Sequence, residues 1–202
     1  MIPQDKIGKI KRFALHLDWD VAFEGKGKGS RHLFRISAIA LELAKREGGR
    51  KDIIEAAAWL HNVGLIHGNK NHDMTGKKIA EEFLKSIGVS FIDSEQILHC
   101  IEAHEGNVRA ISKEAKVVHD ADVIDKMGPL GVIRQTWKLA NSGVPTEKLC
   151  KMLPPYMERR RQNVYTKTAK AAADTLALEL DSFFTVLETQ LDGSAQLSMV
   201  RE

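Results

Sequence analysis

Apolar side chains recur along this chain every three or four positions, the spacing that places them on one face of an α-helix. Ile7, Ile10, Phe13, Ala14 and Leu17 form the first such stripe. The run Glu24-Gly25-Lys26-Gly27-Lys28-Gly29 follows, and its three alternate glycines predict a loop. Ser30 stands where a helix cap is expected, and Leu33, Ile36, Ala40 and Leu43 give the second helix its apolar face. Gly48-Gly49 ends that helix. Asp52 opens a third, Ile53 to Leu60, which is apolar nearly all round and is therefore expected at the centre of the core. Gly64 stops it.

The stretch from Leu65 to Asn71 reads as a loop. Helices are predicted from about Thr75 to Ile87, from near Asp93 to before Gly106, and from Ser112 to Met127. Shorter ones cover Leu130 to Ala140 and Thr146 to Met152. Pro154-Pro155 predicts a break, followed by a long helical stretch from about Met157 to Leu191. The polar end, Gly193 to Glu202, is expected to fray. No stretch alternates with the two-residue period of a strand, so the class is all-α. With no repeat or linker to divide it, the chain reads as a single compact helical domain with a long C-terminal helix. Its parts are an N-terminal helix and glycine loop (1–29), a helical core (30–142) and a C-terminal helical extension packing on that core (143–202).

Composition changes this picture little. Of 202 residues, 43% are hydrophobic and 28% charged, an ordinary globular balance. A net charge of +3 gives no general case for nucleic-acid binding, and Arg159-Arg160-Arg161 reads as a solvated helix face. Cys100 and Cys150 lack the spacing of a zinc knuckle or redox pair and read as two free thiols. Neither a signal peptide nor a long apolar run is present, so a cytoplasmic protein without a membrane partner is expected; a homo-oligomer is compatible with the sequence. Lys26 and Lys28 lack the Gly-Lys-Ser/Thr ending of a phosphate-binding loop, which leaves a lid or a plain loop. Trp59 and Trp137 lie in apolar stripes and are expected in the core, and Trp19 is read the same way.

The eight histidines carry the candidate chemistry. His32 lies on the first turn of the second helix, and His61-Asn62 where the buried third helix ends. His72-Asp73 precedes the fourth helix, His104-Glu105 ends the fifth, and His119-Asp120-Ala121-Asp122 lies in the sixth. Imidazole nitrogens and carboxylate oxygens are the usual ligands of divalent transition metals. A lone histidine is more often a hydrogen-bonded core residue than a ligand, and His16 and His67 are assigned no role. His99 and His104 are five residues apart, so a helix cannot aim both straight at one centre.

Three segments make the pattern recognisable: Ser30-Arg31-His32-Leu33-Phe34-Arg35-Ile36, Ala56-Ala57-Ala58-Trp59-Leu60-His61-Asn62-Val63-Gly64, and His119-Asp120-Ala121-Asp122-Val123-Ile124-Asp125-Lys126-Met127-Gly128. Together they resemble the HD superfamily of metal-dependent phosphohydrolases, in particular its small archaeal and bacterial members. The resemblance extends over roughly Ser30 to Leu187. It implies that His32, His61 and Asp122 ligate a metal, with Asp120 as the competing carboxylate, and that Asn62 occupies the position of the family's naming aspartate. His72 and His104 would serve a second ion or the substrate phosphate. One or two divalent ions (Mn, Fe, Ni, Co, Zn or Mg) are thus the implied cofactor. The implied activity is phosphoester hydrolysis by metal-activated water, on a nucleotide or related small phosphorylated metabolite.

The chain departs from the family at its central position. Asparagine is neutral and presents one carbonyl oxygen, so Asn62 is a poor bridge between two cations. Some relatives carry lysine where Leu65 stands here. The alternative function is accordingly a degenerate fold that binds a nucleotide or a protein without turnover. Asp125 and Lys126 follow Asp122 by three and four residues, on about the same helix face, and Arg35 follows His32 by three. These three are the candidate catalytic residues, with Asp125 as acid or base and the two cations on phosphate; an ion-pair role for them is weighed equally.

Overall fold

The computed structural model describes residues 1–18, 30–68 and 71–193, and among these it contains helices and turns but no strand. Among the described residues nine α-helices follow one another: α1 (Gln4–His16), α2 (Ser30–Glu47), α3 (Lys51–Leu60), α4 (His72–Ser86), α5 (Phe91–Ala103), α6 (Lys113–Asp125), α7 (Gly128–Asn141), α8 (Thr146–Gln162) and α9 (Lys167–Leu191). A 3-10 turn, Val63–His67, joins α3 to α4. The predicted glycine loop, Lys26, Lys28, Trp19 and the polar end beyond Gly193 lie outside the described residues.

The apolar run Ile53–Leu60 of α3, interrupted only by Glu55, decides where it sits. Seven of its residues, Ile53, Ile54, Ala56, Ala57, Ala58, Trp59 and Leu60, are buried, and α1, α2, α5 and α6 pack around it. Burial of side chains such as Ile54 and Leu60 stabilises by about 1.5–3 kcal/mol each. The alanine run lets neighbouring helices approach closely. Local chemistry sets several helix starts: the side chains of Ser90, Ser112 and Thr166 accept from the backbone N–H groups of Asp93, Ala115 and Ala169.

Helices α7, α8 and α9 bury a smaller cluster of their own: Val132, Leu149, Leu153, Met157 and Leu180. Val123, Met127 and Ala173 fasten α6 to α9 beside it. Among the described residues no helix is long and apolar enough to cross a membrane.

The structure corrects several element boundaries. α8 runs through Pro154 and Pro155, where a break is expected, and the chain breaks instead at 163–166. The two prolines remove hydrogen bonds to the carbonyls of Cys150 and Lys151, on half-buried and exposed turns open to water. Leu149, Leu153 and Met157, each four residues apart, hold both halves against the same cluster. α4 begins three residues before Thr75, and the 3-10 turn Val63–His67 takes in the start of the loop expected from Leu65 to Asn71.

Candidate metal centre

Five chain segments meet at one end of α3. α2 contributes His32 from its first turn, and α3 contributes His61 as its C-cap. Asn62 follows with φ −105° and ψ 6°, turning the chain into the 3-10 segment. His72 opens α4 and His104 caps α5. The last turn of α6 supplies Asp122 and Asp125, and Lys126 caps it. Gly64 makes the approach of α4 feasible: a Cβ there would stand 1.9 Å from the His72 carbonyl oxygen, so only glycine lets the two backbones touch.

His32, His61 and Asp122 are buried, at 2%, 0% and 1% exposure, which removes water as the partner of their polar atoms. His32 Nδ1 lies 2.7 Å from Asp125 Oδ2, and His61 Nδ1 lies 2.8 Å from the Ala58 carbonyl. Both partners accept, so each Nδ1 is placed to donate, and the neutral ring in that tautomer presents a lone pair on Nε2. The two Nε2 atoms nevertheless stand 3.3 Å apart, and Asp122 Oδ1 is 3.3 Å from the first and 3.8 Å from the second. Three potential ligand atoms thus converge on one point. Asp122 Oδ1 is also one of the few buried polar atoms without a hydrogen-bond partner among the described residues. Ligands at about 2.0–2.2 Å from a single tetrahedral ion lie roughly 3.3–3.6 Å from one another, so these three atoms fit one divalent cation.

A second cluster adjoins the first, with the His61 and His104 rings 5.1 Å apart. His104 Nδ1 donates to the Ile101 carbonyl at 2.6 Å, leaving Nε2 to face His72 Nε2 at 3.2 Å. Glu105 Oε1 lies 3.7 Å from His72 Nε2 and 3.6 Å from His104 Nε2. Lys126 spans the two clusters, 2.5 Å from Asp122 Oδ2 and 3.2 Å from Glu105 Oε1.

Burial and charge pull against each other throughout the site. Burial alone would raise the Asp122 carboxyl, but Lys126 and His32 outweigh it and hold it well below the usual range. Burial raises Glu105 too, and Lys126 turns the balance, bringing it to about 2. For Lys126 burial works to lower the ammonium; Asp122 and Glu105 reverse this and keep it above its ordinary value. Burial, then the neighbouring charge on His104, pushes His61 well below its usual value and keeps it neutral and able to ligate.

Asp125 has both oxygens engaged. Oδ2 accepts from His32 Nδ1, from Arg134 Nη1 at 2.8 Å and from Arg35 Nη2 at 3.1 Å, while Oδ1 accepts from Arg35 Nε. Asp120 faces the other way. Its oxygens accept from the backbone N–H groups of Tyr165 and Thr166, both at 2.8 Å, and so fix the chain entering α9. His119 bridges the His104 and Asn163 carbonyls, and His99 Nε2 accepts from Ile111 N; neither joins the clusters.

His32 of the first cluster and His72 and Glu105 of the second line a cavity of about 560 Å³. Arg31, Arg35, Lys126, Arg134 and Lys138 supply cationic walls, and Leu65, Leu130, Ile133 and Trp137 an apolar one; Asn62 also lines it. Trp137, expected in the core, is 48% exposed and faces this cavity. Its stripe is apolar because it borders the cavity, and periodicity alone cannot separate that case from packing. Sequence reasoning also missed Glu105, Arg134 and Asp18. Glu105 had a signal in its position beside His104. Arg134 had one as a cation set among Leu130, Trp137 and Lys138 on a single helix face. Asp18 had none: it is buried, its oxygens have no partner among the described residues, and burial lifts its pKa to about 6 against the opposing charges of His32 and Arg134.

Comparison with known proteins places this geometry. Residues 29–127 match the family model described as HD domain. A ribonuclease Y from Symbiobacterium thermophilum is 28% identical over 110 residues, which are 52% of this chain but 19% of that protein. This chain therefore spans about a fifth of the length of that curated relative. Bacillus subtilis YpgQ in complex with ADP superposes with a TM-score of 0.76 at 19% identity, over 93% of this chain and 95% of that one. An HD-superfamily hydrolase from Bacillus thuringiensis gives 0.76 at 24% identity, over 94% and 98%. At these identities the solved structures establish the fold.

Proposed function

Since the chain belongs to the HD-domain superfamily through residues 29–127, we propose that it is a metal-dependent hydrolase of phosphoesters, with a nucleotide or a related small phosphorylated metabolite as substrate. One observation carries this reading: three buried ligand atoms, His32 Nε2, His61 Nε2 and Asp122 Oδ1, converge within 3.8 Å of one another behind a cation-walled cavity that His32 lines. His32, His61 and Asp122 would hold a divalent ion there, and its chemistry would be activation of water and neutralisation of phosphate charge.

The chain's own residues do the rest. Asp125 holds the His32 proton on Nδ1, which keeps Nε2 available; with both oxygens occupied, it positions His32 rather than exchanging protons itself. Arg35 and Arg134, each ion-paired with Asp125 and about one-third exposed, present their remaining N–H donors toward the cavity, where a forked guanidinium suits phosphate. Lys126 adds a third cation to the lining. Leu130, Ile133 and Trp137 offer an apolar surface beyond the phosphate-binding end, suited to a flat base. ADP in the B. subtilis YpgQ complex is consistent with such a ligand.

The test is hydrolysis of a panel of nucleotides and simple phosphomonoesters with Mn²⁺, Ni²⁺, Co²⁺ or Mg²⁺. Turnover is expected in the native chain and should fall at least a hundredfold in Asp122→Ala and His61→Ala. Asn62 favours a second reading, a nucleotide-binding module without turnover. Nucleotide binding in the absence of hydrolysis, both in the native chain and in Asn62→Asp, would decide for it.

A further inference from the structure

We infer that this chain holds one divalent ion, in the His32–His61–Asp122 cluster, and that the Lys126 ammonium takes the place of a second ion beside His72, His104 and Glu105. The inference rests on the proposed reading of the first cluster as a metal site.

The two clusters look alike in donor type but differ at the carboxylate. In the first, the oxygen facing the imidazoles, Asp122 Oδ1, has no hydrogen-bond partner among the described residues; Lys126 engages the other oxygen, Oδ2. In the second, the oxygen facing the imidazoles is Glu105 Oε1, and that same atom is the one bonded to Lys126, at 3.2 Å. A cation entering the second cluster would have to displace an ammonium already paired there or share its acceptor. Like charges this close in a buried site repel strongly.

Charge compensation agrees. Asp122 and Glu105 bring two negative charges, and Lys126 removes one. A single divalent ion then leaves the two clusters with a modest positive charge, suited to an anionic ligand; a second would leave three positive charges in a buried space. A carboxylate at position 62 would offset part of that, but Asn62 contributes none. Leu65 contributes no cation from the 3-10 turn, and Lys126 reaches the cavity from α6 instead. Its backbone is fixed by a tight turn into α7: a Cβ on Gly131 would lie 2.2 Å from the Lys126 carbonyl oxygen, so glycine is required there.

The experiment is Mn²⁺ titration of the chelator-stripped full chain, read by bound metal content and by electron paramagnetic resonance. The native chain should take up one equivalent and give the six-line spectrum of an isolated ion. Lys126→Met and Lys126→Gln, shown to be folded by thermal melting, should each take up a second equivalent. The six-line signal should broaden as the neighbouring ions couple, and Asn62→Asp combined with Lys126→Met should tighten the second site further. Two equivalents in the native chain would overturn this inference while leaving the metal-centre reading intact. A single equivalent in both folded Lys126 variants would also overturn it. If the native chain bound no metal, the reading on which it rests would fall with it.

Discussion

Replacing Asp125 with asparagine should weaken the first cluster's hold on a divalent ion while leaving the chain folded. The carboxylate accepts four hydrogen bonds, from His32 Nδ1, Arg134 Nη1 and Arg35 Nη2 on one oxygen and from Arg35 Nε on the other. An amide cannot satisfy that set. With its oxygen toward His32, its NH₂ meets Arg35 Nε donor to donor. Turned over, the NH₂ faces His32 Nδ1 and drives the imidazole to its other tautomer, placing a proton on the Nε2 that should ligate. A hydrogen bond to a charged group contributes about 1.5–3 kcal/mol. Loss of such an orienting partner costs about 10–100-fold in metal affinity. Because Asp125 is 4% exposed and water cannot replace it, the upper half of that range is expected, roughly 30–100-fold for Mn²⁺ by isothermal titration. Arg35 and Arg134 are 36% and 33% exposed and can turn to water, but the buried His32 Nδ1–H loses a charged acceptor, so the folded variant should be destabilised by about 1–3 kcal/mol. A variant that binds Mn²⁺ within threefold of the native chain would refute the positioning role.

Three further outcomes follow from the same geometry. Asp120→Ala removes a buried acceptor from the N–H groups of Tyr165 and Thr166; it should cost about 2 kcal/mol in chemical denaturation and leave metal stoichiometry unchanged. Burial lifts Asp18 to about 6, so the folded state retains its proton where the unfolded state has lost it. Its contribution to stability is therefore complete below about 3.8 and lost as pH rises through about 6; Asp18→Asn should abolish that decline between pH 4 and 6 and be about 1–2 kcal/mol more stable than the native chain at pH 7. Trp137→Ala should raise KM for a nucleotide about fivefold or more, with kcat little changed and simple phosphomonoesters unaffected, since stacking a base on an aromatic ring contributes about 1–3 kcal/mol.

Helical class and the central place of α3 were legible because the apolar period is unbroken and the third stretch has almost no polar face. Glycine and serine marked most ends correctly for the same reason: their effects are local. Pro154-Pro155 misled because a helix break depends on whether the orphaned carbonyls can reach water and whether packing outweighs the loss, and neither is written in the dipeptide. The ordered histidines and Asp122 stood out in sequence, yet their meeting depends on the Gly64 contact and on Asp125, which fix backbone and ring. The choice between Asp120 and Asp122 also needed three dimensions: two residues apart on one helix, they point to opposite tasks. Trp137 and Arg134 were misread or missed because a stripe bordering a cavity has the same periodicity as one packed on a core.

The wall that faces a ligand and the imidazoles that would act on it rest on different supports. Leu130, Ile133 and Trp137 ride on α7, whose opposite side is anchored by Val132 in the small α7–α9 cluster, whereas the histidines hang from helices of the main core. Substitutions at Leu130, Ile133 and Trp137 therefore act on a different cluster from the one that seats the imidazoles, and Arg134 on the same helix is the link between the two. Such a division lets ligand preference drift between descendants, or be re-engineered, while the reactive machinery is inherited intact.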